Sequence, residues 1–278
     1  MDDHSICSIN GKIVDQKQAF LPLSSIEAQY GFGVYENIKV RNNLIYFVKE
    51  HIARLIRSAT CIGLKHRFSK EKISDHLNAY KDRLNIDSCN LKLILLGGQS
   101  SKESRLIIMA SLPFYPKREW YRTGVTLKSD KYERFMPQAK TLNMLPSYIF
   151  YKNAKRHGHY DSLLIDMAGN VLEGTRTNVF FIEGKNIYHP PTGKILEGVT
   201  MMSIKCVLEK YGFKFTEKEI PLSSISKYEG MFLSSTSSKI LPVRKVDDVI
   251  VPIPASLHEI IKIYDGELER CRGVFRLL

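Results

Sequence analysis

Several residue groups in this chain could carry chemistry, and their spacing settles what most of them do not do. Gly97-Gly98-Gln99-Ser100-Ser101-Lys102 has the glycines, hydroxyls and lysine of a phosphate loop, but lacks the further glycine and the helix entry that let a loop cradle a nucleotide phosphate. Gly31-Phe32-Gly33 is followed by strand-like Val34-Tyr35-Glu36, not by a helix with a third glycine, so it is no dinucleotide fingerprint. His157-Gly158-His159 could suggest a metal, yet no acid or cysteine stands at ligand spacing, and the segment reads as a surface turn. The five cysteines, Cys7, Cys61, Cys89, Cys206 and Cys271, are odd in number and scattered without a Cys-x-x-Cys pair. That argues against a disulfide framework and against zinc, and for reduced thiols mostly packed inside.

Other residues keep a chemical reading beside an ordinary one. Lys140 lies in an apolar context, with Phe135-Met136-Pro137 before it and Leu142, Met144 and Leu145 after. Burial and a nearby cation would let such an amine lose its proton near neutral pH and act as a nucleophile. Taken alone it reads as an ordinary solvated lysine. Glu173 precedes Gly174 at the end of an expected strand, where an acid is also unremarkable. Gly198-Val199-Thr200 opens an expected helix, whose first N–H groups would favour an anion. Arg54 could add a bidentate cation or be an exposed helical arginine, and Ser235-Thr236 forms a hydroxyl-rich turn. Tyr35 and Lys39 are an even number of residues apart and so share one face of a strand.

The elements that must position these residues follow from periodicity. Ser8 to Val14 reads as a hairpin around Asn10-Gly11, which tolerates positive φ at both central turn positions. Strands are expected at Val34 to Val40, Leu44 to Val48, Leu91 to Leu96 and Leu106 to Leu112. Between them lie a helix from Glu50, with Ile52, Leu55, Ile56 and Ala59 on one face, and a second capped by Ser69 with Ile73, Leu77, Tyr80 and Leu84 as its stripe. The polar, proline-containing stretch from Phe114 gives no periodicity. We therefore expect a small α+β domain over 1–115, a linker over 116–123 and a large domain over 124–278. In the large domain Pro146 suits the first turn of a helix, Ala168-Gly169-Asn170 and Gly184-Lys185-Asn186 suit hairpin turns, and Gly212 closes a helix from about Thr200. A strand at Met231 to Ser234 and a last helix bearing Leu257, Ile260, Ile261 and Tyr264 end the chain.

Composition bounds the rest. The 278 residues are 44% apolar, with 17 Gly and 11 Pro, which excludes a disordered tail or a collagen-like rod and suits two modest domains or one large α/β unit. No run approaches the roughly 18 apolar residues of a spanning helix, and Met1-Asp2-Asp3-His4 lacks a signal-peptide pattern, so a cytoplasmic protein is expected. The 41 basic against 29 acidic residues give +12. That excess could serve nucleic acid, an anionic surface or a phosphorylated or carboxylated ligand. It is interleaved with acids throughout, as in Lys70-Glu71-Lys72, and never forms a dense basic block.

Six segments in register carry a family resemblance. They are Tyr30-Gly31-Phe32-Gly33-Val34-Tyr35-Glu36, His51-Ile52-Ala53-Arg54-Leu55, Ala139-Lys140-Thr141-Leu142-Asn143, Gly169 to Asn178 with Glu173-Gly174-Thr175-Arg176-Thr177-Asn178, Leu196-Glu197-Gly198-Val199-Thr200 and Ser234-Ser235-Thr236-Ser237-Ser238. In this order the chain resembles the fold-type IV pyridoxal-phosphate enzymes, the group of branched-chain and D-amino-acid aminotransferases and aminodeoxychorismate lyases. The resemblance runs from Asn10-Gly11 to about Val246 and implies an α/β (α+β two-domain) fold, with a smaller N-terminal domain and a larger one built on a barrel-like β core. It implies the cofactor pyridoxal 5′-phosphate (PLP), held as a Schiff base by Lys140, with Glu173 at its ring nitrogen and Arg54, Val199, Thr200, Ser235 and Thr236 around its phosphate. Tyr35 and Lys39 would line the substrate pocket. Transamination between an amino acid and a 2-oxo acid would follow, by a homodimer, with no metal, nucleic acid or membrane as partner.

Departures from the family pattern shape the substrate expectation. Tyr35-Glu36 and Lys140-Thr141-Leu142-Asn143 are closest to the D-amino-acid aminotransferases, yet the loop Gly97 to Arg105 lacks the Arg-x-His carboxylate trap of that group. Arg176 or Lys39 is expected to take over carboxylate recognition. Two alternatives stand beside transamination: a lyase on the same cofactor, although Leu142-Asn143-Met144-Leu145 departs from the lyases' Leu-Asn-Arg-Leu, and a non-catalytic basic binding protein that retains the fold without PLP.

Overall fold

The computed structural model describes residues 5–270, so the Met1 to His4 start and Cys271 lie outside the described residues. The chain forms two compact units. One runs up to Phe114 and also takes in Ala139–Asn143, and the other holds Tyr115–Gln138 and the chain from Met144 onward. Division at one linker would not contain this return of five residues to the first unit.

In the first unit β1 (Ile6–Ile9) and β2 (Lys12–Asp15) form the hairpin expected around Asn10 and Gly11, whose φ angles are 54° and 90°. After α1 (Ile26–Tyr30) come β3 (Gly33–Arg41), β4 (Leu44–Ile45), α2 (Val48–Cys61), α3 (Lys70–Leu84), β5 (Cys89–Leu96) and β6 (Arg105–Ser111). The strand expected to reach Val48 stops at Ile45, because Phe47 takes a φ of 54° and caps α2, which opens at Val48 and not at Glu50. The strands order as β2-β1-β6-β5-β3-β4, every pairing antiparallel. Val34, Ile38 and Val40 of β3 and Leu91, Leu93 and Leu95 of β5 pack with Ile52, Leu55 and Ala59 of α2 and Ile73, Leu77, Tyr80 and Leu84 of α3. Ser69 caps α3 as expected, its hydroxyl accepting from the Lys72 N–H at 3.2 Å.

The second unit begins with α4 (Trp120–Thr123), a short helix inside the stretch expected to link two domains. There follow β7 (Val125–Lys131), α5 (Leu145–Arg156) with Pro146 in its first turn, β8 (Asp161–Ile165), β9 (Val171–Gly174), β10 (Asn178–Glu183) and β11 (Asn186–His189). Then come α6 (Val199–Glu209), β12 (Lys214–Glu217), β13 (Gly230–Ser235), β14 (Lys239–Val246), β15 (Val249–Ile250) and α7 (Ala255–Arg270). The sheet orders as β12-β11-β10-β13-β14-β7-β8-β9, with β15 beside β14. Four strands separate β9 from β10 in that order, about 24 Å in a flat sheet at roughly 4.8 Å per strand. Yet Thr175, Arg176 and Thr177 alone join them in sequence, and the Gly174 N–H bonds the Thr177 carbonyl at 2.8 Å. A three-residue link cannot cross that span, so the sheet curls, which gives the barrel-like β core expected of this unit.

Candidate active site

β3 sends alternate residues to opposite faces. Glu36 shares the core face with Val34 and Ile38 and is fully buried. A carboxylate there must be paired. Arg54 donates from Nε to Oε1 and from Nη2 to Oε2, each at 2.7 Å, and His51 Nδ1 lies 2.7 Å from Oε2. His51 and Arg54 stand three apart on α2 and so present the same face to Glu36. Burial pushes the Glu36 carboxyl up, but the Arg54 guanidinium and then His51 override it and hold the pKa down to about 2. His51 is pulled below its ordinary value chiefly by burial; Glu36 works against that, while Arg54 and Lys140 add to it. The neutral ring therefore donates from Nδ1 to the carboxylate.

The other face of β3 carries Tyr35 and Lys39, each only 7% exposed. The returning segment Ala139–Asn143 lies along the start of this strand. The Tyr35 N–H bonds the Lys140 carbonyl at 3.0 Å, the Leu142 N–H bonds the Gly33 carbonyl at 2.9 Å, and Val34 bridges Thr141. The close approach requires glycine at position 33, where a Cβ would stand 2.7 Å from Leu142 Cδ1 and 3.0 Å from the Leu95 carbonyl oxygen. The Lys140 N–H donates to Ser58 Oγ of α2 at 3.0 Å. With its backbone held on both sides, half-buried Lys140 carries its Nζ 4.6 Å from the centroid of the Tyr35 ring.

In the second unit Glu173 is buried near the end of β9. Arg134 Nη1 donates to Oε1 at 3.0 Å and the Leu196 N–H donates to Oε2 at 3.1 Å. Asn178 Nδ2 donates to the Leu196 carbonyl at 2.7 Å, so the turn entering α6 is tied to both β9 and β10. Gly198 caps α6, and the first-turn N–H groups of Val199 and Thr200 lack intrahelical acceptors. The link after Glu173 is pinned by buried Asp161, which accepts from the Thr175 hydroxyl, the Thr177 hydroxyl at 3.3 Å and the Ser162 N–H at 2.9 Å. At the end of β13 the Ser235 and Ser238 hydroxyls bond each other at 2.7 Å, Thr236 is half-exposed, and the buried Ser234 hydroxyl has no hydrogen-bond partner among the described residues. Arg176 is exposed, its guanidinium 3.7 Å from the centroid of the Tyr151 ring.

The family profile of class IV amino-transferases matches residues 33–246. The chain belongs to the class IV aminotransferases. A probable branched-chain-amino-acid aminotransferase of Rickettsia conorii is 26% identical over 280 residues, covering 96% of this chain and 95% of its own. A D-alanine aminotransferase of Bacillus licheniformis is 26% identical over 247 residues, covering 86% and 87%. Among solved structures, a hypothetical aminotransferase from Mycobacterium tuberculosis in its PLP-bound form superposes with a TM-score of 0.83 at 21% identity, covering 94% of this chain and 98% of its own. Fold-type IV architecture, PLP dependence and transamination, expected from the motifs, are those of this family.

The residues present fit the cofactor. The first unit offers a half-buried amine suited to an aldehyde. The second offers a buried carboxylate with both oxygens anchored, the first turn of an eleven-residue helix and a buried hydroxyl with no partner among the described residues, groups suited to a ring cation and a phosphate. Sequence reasoning did not assign Glu36, His51, Ser58, Arg134, Asn178 or Asp161. Glu36 and His51 stood inside quoted motifs, but nothing in a linear sequence pairs them across fifteen residues. Arg54, expected to be either a phosphate cation or exposed, is buried against Glu36.

Proposed function

We propose that Lys140 is the residue on which transamination turns and that Glu173, Arg54, Val199, Thr200, Ser235 and Thr236 hold PLP. The observation that carries this reading is the backbone ladder of Ala139–Asn143 on β3, which aims one lysine at the Tyr35 ring. When bound, PLP supplies an aldehyde that takes up the substrate amine and a ring that accepts the electron pair left as the α-proton departs. Lys140 Nζ removes that proton and returns it at the neighbouring carbon. Glu173 holds a proton at the ring nitrogen, and Arg134 with the Leu196 N–H keeps the carboxylate from turning away. The first turn of α6, the Thr200 hydroxyl and the Ser235-Thr236 turn take the phosphate, and Arg54 contributes positive charge from an orientation set by Glu36. Tyr35, Lys39 and Arg176 bind the substrate. A second 2-oxo acid meets the same residues in reverse order.

Motif agreement at Tyr35-Glu36 and Lys140-Thr141-Leu142-Asn143 supports a D-amino-acid donor. The reading includes a homodimer, supported by the strongly exposed Phe20, Leu23 and Tyr30 of the first unit. It also includes a cytoplasmic location, with which the unpaired thiols of Cys7, Cys61, Cys89 and Cys206 agree. Borohydride reduction of the yellow protein and peptide mapping test the central assignment. The pyridoxyl mass should lie on the peptide containing Lys140; its appearance on any other lysine would sink the assignment. A panel of D- and L-amino donors then reads the stereochemistry.

A further inference from the structure

The face of the first-unit sheet turned away from α2 and α3 carries a concentration of amines around one ring. Antiparallel register pairs Tyr35 with Ile94, Asn37 with Lys92 and Lys39 with Asn90, and paired residues share a face. Lys92 therefore stands diagonally between Tyr35 and Lys39, on the face that Lys140 approaches. Its Nζ lies 5.6 Å from the centroid of the Tyr35 ring, the same ring that the Lys140 amine meets at 4.6 Å. Lys92 is half-buried, and among the described residues neither it nor Lys140 forms an ion pair with a carboxylate. Glu36, the acid between Tyr35 and Asn37 in sequence, belongs to the opposite face and is consumed by Arg54 and His51.

Like charges gathered on a half-buried surface repel one another unless an anion joins them. One tyrosine ring, negative on its face, offsets only part of that charge. The chain has no Arg-x-His pair in Gly97 to Arg105, and that loop folds back on its own acid, Gln99 N–H donating to Glu103 Oε2 at 3.0 Å. We infer that Lys92 is a substrate-binding residue that holds the α-carboxylate of the amino and 2-oxo acid substrates, beside Tyr35 and within reach of the lysine that moves the α-proton. This rests on the assignment of Lys140 above. The carboxylate concerned is the one every substrate shares, so Lys92 sets affinity for the class and not for one side chain.

Lys92→Met keeps the apolar stem and deletes the charge; Lys92→Arg restores a cation. Losing one charge-assisted contact should raise KM for pyruvate and 2-oxoglutarate alike by about ten- to a hundredfold, with kcat changed far less and with Lys92→Arg recovering most of the loss. Binding is also read without turnover, by calorimetry of the PLP-loaded protein with 3-methylbutanoate and glutarate, acids that carry no amino or keto group. Both should weaken by a similar factor in Lys92→Met, while the PLP dissociation constant and thermal midpoint stay at wild-type values. Unchanged KM and unchanged carboxylate binding in Lys92→Met would overturn the inference. So would a loss confined to 2-oxoglutarate and glutarate, since that would place Lys92 at a side-chain carboxylate. Borohydride mapping that misses Lys140 would instead remove the reading beneath it, and calorimetry would still report separately whether Lys92 binds an acid.

Discussion

A single buried carboxylate, Glu36, organises two side chains of α2. Glu36 gains little for stability simply by being a buried ion, because desolvation offsets much of the attraction. Its consequence is directional: it fixes Arg54 by two bonds and His51 by one. Glu36→Gln removes the charge while keeping the shape, which leaves Arg54 buried without its counter-ion. We expect a loss of about 3–5 kcal/mol in urea unfolding. The pH dependence has a definite sign. With its pKa depressed from 4.5 to about 2, Glu36 contributes stability that is fully present above about 4.5 and lost as pH falls towards 2. His51, also depressed, favours folding above its ordinary value of 6.5 and works against it as pH drops below. Urea midpoints measured from pH 7 to pH 3 should therefore fall in the wild type, and the part of the fall below pH 4.5 should shrink in Glu36→Gln. Parallel curves for the two proteins would contradict the assignment.

At the scale of elements, the entry into α6 shows why a glycine stands where it does. Gly198 caps the helix with an ordinary extended backbone, φ −71°, so its need is space and not conformation. A Cβ there would meet Asn178 Oδ1 at 2.2 Å. Asn178 would have to leave the Leu196 carbonyl, and the turn that also donates to Glu173 would loosen. Gly198→Ala should cost roughly 1–3 kcal/mol in PLP binding, about ten- to a hundredfold in the dissociation constant. Absorbance titration of the apo-protein with PLP measures this directly, and an unaltered constant would show that α6 does not cradle the phosphate.

For the whole molecule the open question is association. Phe20, Leu23 and Tyr30 are 80%, 88% and 78% exposed, within one short stretch of the first unit. Large apolar side chains this exposed in one short stretch are what the proposed dimer would cover. The chain should sediment at twice its own mass, and Leu23→Asp should shift it towards monomer with its circular dichroism unchanged. A wild-type monomer at micromolar concentration would refute the dimer. The net charge of +12 makes no separate demand for a nucleic-acid partner, since its lysines and arginines are spread among acids along the chain.

Much of this was legible one segment at a time. Asn10-Gly11, Ser69, Pro146 and Gly212 announced their turns and caps because the φ angles and side-chain bonds involved are local, and the apolar stripes of α2 and α3 announced which faces they bury. Six motifs in order were enough to indicate the family, since the chemistry of an amine, an acid and a helix N-terminus constrains residue type. The attachment of Ala139–Asn143 to β3 was not legible, because it is made of backbone N–H and carbonyl groups that every residue owns. Nor was the fate of Arg54, which depends on a buried carboxylate eighteen residues away that also holds His51. Residue types and local spacing were thus determined by the sequence itself. The pairing of buried charges and the placing of Lys140 beside Tyr35 were decided only when the chain folded, because both depend on which distant groups exclude water from one another.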